Sequence, residues 1–169
     1  MTIAQNMLAE FEDELKTTRR FLEQLPADKL NWQPHEKSMT AGALALHIAR
    51  APGRVVQMAQ EDAAPIPDFG KAQPQPASRE EVLAALEESA ATVRALLPTY
   101  SDERMQKTWR ALKDGKELMA MPRVVFLRKI MLNHIYHHRG QFGVYLRLMG
   151  ALVPSSYGPS GDEMPTAPR

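Results

Sequence analysis

From Pro122 to Gly150 the chain runs without an internal proline, RVVFLRKIMLNHIYHHRGQFGVYLRLM, and its apolar residues recur at helical spacing. Pro122 suits a first helical turn and Gly150 suits a stop. A helix of about 28 residues would span about 42 Å. Its apolar stripe has to be covered by other elements, and three further helical segments lie upstream.

The first runs from about Ile3 to Leu25, with Ile3, Met7, Phe11, Leu15, Phe21 and Leu22 on one stripe and Pro26 as its stop. The second runs from about Met39 to Glu61, capped by Ser38 or Thr40, with a bend expected at Pro52 because proline removes a backbone donor. The third opens at Ser78-Arg79-Glu80-Glu81, a capping box, and continues through Val82, Leu86, Ala90, Val93 and Leu97 to Pro98. A proline-rich linker, PIPDFGKAQPQP, separates the second and third. Before the last helix, Asp114-Gly115 between short alternating runs reads as a small β-hairpin. The expectation is an all-α, four-helix bundle with that hairpin, one domain over 1–169, and an irregular tail over 151–169.

Composition narrows the function classes. A net charge of +1, with no basic run longer than Arg19-Arg20, argues against a nucleic-acid or anionic-membrane surface. There is no cysteine, which excludes disulfides, thiolate zinc sites and a cysteine nucleophile. The acidic, amphipathic start is unlike a signal peptide, and no apolar run approaches the ~20 residues of a membrane span, so a cytoplasmic protein is expected.

The long last helix also holds the main chemical signal. Three of the five histidines fall within NHIYHHRGQF, Asn133 to Phe142. At 100° per residue His138 sits amid Leu127, Met131, Tyr145 and Met149, with His134 about 40° away and His137 about 100° away at the edge. His134 and His138 thus point inward together. Two buried imidazoles each need a polar partner, and burial disfavours protonating either. One shared divalent cation satisfies both. The third ligand has to come from another helix. His47 shares a face with Leu44, Ala51 and Met58 and is the candidate; His35, in a proline-flanked loop, reads as surface. The spacing alone equally fits a hydrogen-bonded core pair, since Ile-Tyr-His fills the interval and the protease motif HExxH is absent.

The segments LNWQPHEKSMTAGALALHIA, LNHIYHHRGQFGVYLRLMG and VPSSYGPSGDE resemble the DinB-like family of four-helix-bundle proteins across almost the whole chain. The family is DNA-damage-inducible and distinct from the polymerase that shares the name. The resemblance implies one divalent metal held by His47, His134 and His138, and a homodimer. It also implies a kinship with transferases and isomerases that use small thiols such as mycothiol, bacillithiol or glutathione. It does not imply action on DNA.

Three neutral histidines leave at least one coordination position open, which suits catalysis better than a closed structural site. Imidazole ligands favour zinc or nickel, with iron or manganese also compatible. With no cysteine in the chain, any thiolate has to come from a small-thiol cosubstrate. The leading expectation is a metal-dependent thiol S-transferase acting on a small-molecule substrate. The alternatives are a metal-dependent hydrolase and a non-enzymatic metal-binding dimeric bundle. No catalytic base stands out. Gln141 is placed beside the histidines, Arg139 on the polar side of the helix, and Asp162 and Glu163 in a solvated tail.

Overall fold

Helix α1 spans Ile3–Glu23 in a computed structural model that describes residues 1–68 and 73–164. Thr2 and Gln5 close a capping box at its start, and Met7, Phe11, Leu15, Phe21 and Leu22 are buried along one face. Helix α2, Ala41–Met58, is the central element. Of the two cap candidates Thr40 is the one used, accepting from the Ala43 amide at 3.2 Å. Pro52 lies within the continuous helix, and the next amide, Gly53, donates to Ser89 Oγ at 2.8 Å. A Cβ on Gly53 would stand 3.0 Å from Ser89, so glycine is what admits the neighbouring helix so closely.

That neighbour is α3, Arg79–Leu96. Ser78 caps the Glu81 amide, while the Glu81 carboxylate accepts from the amide of Ala77, one residue beyond its expected target. A short helix α4, Asp102–Gln106, was not legible in the sequence. The hairpin is formed by β2, Thr108–Lys113, and β3, Lys116–Pro122. Asp114 and Gly115 both take positive φ, 50° and 74°, the two-residue turn whose twist matches a hairpin. A third strand, β1, Ala63–Pro65, runs into the start of the expected linker at Pro65 and pairs parallel to β2, Ala64 opposite Ala111. The rest of that linker falls partly on 69–72, outside the described residues. Trp109 of β2 is buried and stacks on Phe126 at 3.6 Å between ring centroids, which anchors the sheet to the helices.

The long final helix is a rod in three parts: α5, Arg123–Phe126; a π-helical stretch, Leu127–Asn133; and α6, His134–Leu148. The wider π turn breaks the uniform 100° step. Leu127, Met131 and Leu132 all reach the core, and the rod resumes α geometry at His134. Arg139 does not project to solvent as the helical wheel suggested; it is 2% exposed. Helix α1 covers that side, so the guanidinium pairs with the Glu14 carboxylate at 2.6 Å and donates to Thr18 Oγ1 at 3.3 Å. Its flat face lies over the rings of Tyr136 and Tyr157.

Residues 151–164 carry no helix or strand but are fastened down. Asp162 accepts from Arg147 and the Val153 amide, each at 2.8 Å, and Glu163 accepts from Arg20 at 2.6 Å and the Ser155 amide at 2.7 Å. Both carboxylates are therefore committed away from the histidines. No described helix is long and apolar enough to cross a membrane.

Candidate metal centre

His47 comes from the middle of α2, and His134 and His138 from successive turns of α6. The structure brings the three together. His134 Nε2 lies 3.3 Å from His47 Nε2 and 2.9 Å from His138 Nε2, and the three rings meet edge-on with centroids 4.4 to 4.9 Å apart. A tetrahedral ion about 2.05 Å from each nitrogen sets neighbouring nitrogens about 3.3 Å apart. The His47–His134 separation meets that value and the His134–His138 separation is slightly tighter. His137 is exposed and touches the cluster only through the His138 ring at 4.7 Å, and His35 is exposed in its loop.

All three imidazoles are half-buried, and burial is the main cause of their lowered pKa values. His47 is pushed down to about 4, with the charges of His138 and Arg54 adding to burial. His134 also falls to about 4, through burial and then its histidine neighbours. His138 is lowered by burial as well, against the opposing effect of its hydrogen bond to Gln141. Near neutral pH these rings are uncharged, the form that ligates metal.

Hydrogen bonding behind the cluster fixes which nitrogen of His138 is free. Tyr145 Oη donates to the Met39 carbonyl at 3.2 Å, so it receives the Gln141 Nε2 amide at 3.5 Å. Gln141 then presents Oε1 to His138 Nδ1 at 2.9 Å. His138 carries its proton on Nδ1, and its Nε2 lone pair faces the cluster. His134 Nδ1 is buried with no partner in good hydrogen-bond geometry, although the Ile130 carbonyl one turn back raises this ring's pKa. The His134 amide bonds to Met131 O, where an unbroken α-helix would use Ile130 O, so the end of the π stretch alters the environment of this ring.

Three imidazole nitrogens converging at these distances, with no carboxylate among them, suit a divalent transition metal and not calcium or magnesium. No fourth His, Cys, Asp or Glu joins the group among the described residues. The profile of the DinB family matches residues 1–168. The chain belongs to the DinB family. A relative in Bacillus subtilis, the uncharacterized protein YrdA, is 27% identical over 160 residues, covering 94% of this chain and 90% of its own. A crystal structure of a DinB-like protein from Bacillus cereus superposes with a TM-score of 0.70 at 25% identity, over 90% of this chain and 97% of that one. A DinB-like protein from Bacillus subtilis shares the fold with a TM-score of 0.66 at 20% identity, over 94% and 99%.

The histidine cluster opens onto a cleft of about 370 Å³. His47 and His134 stand in its wall, α2 forms one side, and Trp109, Leu118 and Met119 of the hairpin form another. Arg50 and Arg54 also line it. Their spacing from His47, three and seven residues on, was the available signal, because such positions share a helix face.

Proposed function

We propose that His47, His134 and His138 of this DinB family member hold one divalent metal ion and that the protein is a metal-dependent transferase of the small-thiol type. The carrying observation is the convergence of the Nε2 atoms of three uncharged histidines, two of which stand in the wall of an apolar cleft. A divalent ion held there supplies the Lewis acidity that makes a thiol or a water nucleophilic near neutral pH. The chain's own residues do the rest. Gln141 and Tyr145 keep the His138 proton on Nδ1 and orient its ring. The apolar walls hold the body of an electrophile and exclude water from around it. The absence of a fourth protein ligand in the group among the described residues favours an open shell over a closed structural one. Since the chain has no cysteine, the sulfur nucleophile comes from a cosubstrate.

The test is elemental analysis of the purified protein, then metal-loaded turnover with glutathione, bacillithiol and mycothiol against small electrophiles, with ester and amide hydrolysis in parallel. The proposal expects about one metal per chain and thiol-dependent turnover that chelation abolishes. Hydrolysis without thiol dependence would replace the transferase with a hydrolase. No bound metal after loading would overturn the site.

A further inference from the structure

Helix α2 carries only two charged side chains, Arg50 and Arg54, and both face the cleft. They stand four residues apart, a spacing at which like charges repel. Arg50 is partly answered by Glu81 at 3.5 Å. Arg54 has no carboxylate within ion-pairing distance among the described residues. Asp68 is the one carboxylate among the described lining residues, against two guanidinium groups. The remaining wall is largely aliphatic or aromatic, and Leu118, Met119 and Ile130 stay 39–53% exposed at the cleft.

From these observations we infer that the cleft binds a small organic anion, an apolar body carrying a single carboxylate, with the carboxylate on Arg54 and the body running along α2 toward the three histidines. Seven residues of helix separate His47 from Arg54, a rise of about 10 Å. The acid group and the end nearest the histidines are therefore distinct, and the carboxylate is a handle, not the reacting centre. A cleft of about 370 Å³ lies at the small end of ligand sites, which suits one monocarboxylic acid of modest chain length. A guanidinium at an apolar mouth selects an acid over the matching alcohol through charge-assisted hydrogen bonds. This inference deepens the reading above by naming the substrate class, and it rests on that reading only for the chemistry after binding.

The test is isothermal titration of octanoate and of octanol into the full chain, metal-loaded and metal-free, and into Arg54→Gln. Wild type is expected to prefer octanoate by about tenfold or more in both metal states. Arg54→Gln is expected to lose that preference while keeping its octanol affinity and its helical circular dichroism. Arg50→Gln should show a smaller loss, because Glu81 already shares that charge. A preference that survives Arg54→Gln overturns the inference. A preference that vanishes only on metal removal places the carboxylate on the metal and overturns it as well, while upholding the metal site. Failure of both probes to bind wild type removes the cleft as a site for such ligands. Octanoate selectivity without any metal uptake would sink the proposed function and leave this inference standing.

Discussion

Replacing Gln141 by alanine removes the acceptor that holds the His138 proton on Nδ1. The contact is 2.9 Å long and half-buried, so it is a well-formed hydrogen bond. In the metal-free protein its loss should cost about 1 kcal/mol. With metal present, His138 donates electron density and its Nδ1 proton becomes more acidic, so the bond to Gln141 strengthens. Partners behind a metal-bound histidine are typically worth about 10- to 100-fold in affinity. The expected change in metal Kd for Gln141→Ala is in that range, about 1.4–2.7 kcal/mol. Tyr145→Phe should lose less, because the Gln141–Tyr145 contact is already at 3.5 Å. The assay is competition for zinc against a chromogenic chelator, with urea unfolding of each metal-free variant as a control. A Gln141→Ala Kd within about twofold of wild type would refute the orienting role. A fall in apo stability as large as the loss in binding would show that Gln141 packs and does not tune.

The same contacts carry further expected outcomes. His138→Ala should lose most of the metal and His137→Ala should keep it, by elemental analysis; equal losses would contradict the observed separation of the two rings. Arg139→Ala should destabilise the fold by about 3–5 kcal/mol in urea unfolding, since it leaves the largely covered Glu14 carboxylate only the Tyr157 hydroxyl; a cost under about 1 kcal/mol would show that the pair contributes little. His47 and His134 have folded pKa values of about 4 against an ordinary 6.5, so between those limits the unfolded chain binds more protons than the folded one. Stability of metal-free protein should therefore fall as pH drops through that window, by up to about 1.4 kcal/mol per pH unit for each histidine; thermal melts that stay flat there would contradict the burial of the rings. A homodimer is expected in solution, and a monomeric mass by light scattering at micromolar concentration would count against it.

Local chemistry written into the chain was enough to place most of the helices. Ser78 with Glu81, the stripe from Ile3 to Leu22, Pro122 and Gly150 act within one or two turns, and such signals survive without tertiary context. The Asp114-Gly115 hairpin was legible for the same reason, because two positive φ angles demand those residues. The histidine triad was legible too, since spacing of four puts His134 and His138 on one face and His47 lies on an apolar face of its own helix. Tertiary packing decided the rest. Strand β1 exists only because β2 offers it an edge, as three residues around Ala64 have no helical or strand signal of their own. Arg139 is buried because α1 brings Glu14 and Thr18 to meet it, and a helical wheel knows nothing of the opposing surface. The π stretch over Leu127–Asn133 gives up regular α geometry while the core takes up Leu127, Met131 and Leu132 together. The cleft belongs to no single segment: α2 contributes the arginines, the hairpin contributes Trp109 and Met119, and only their packing encloses the space between them.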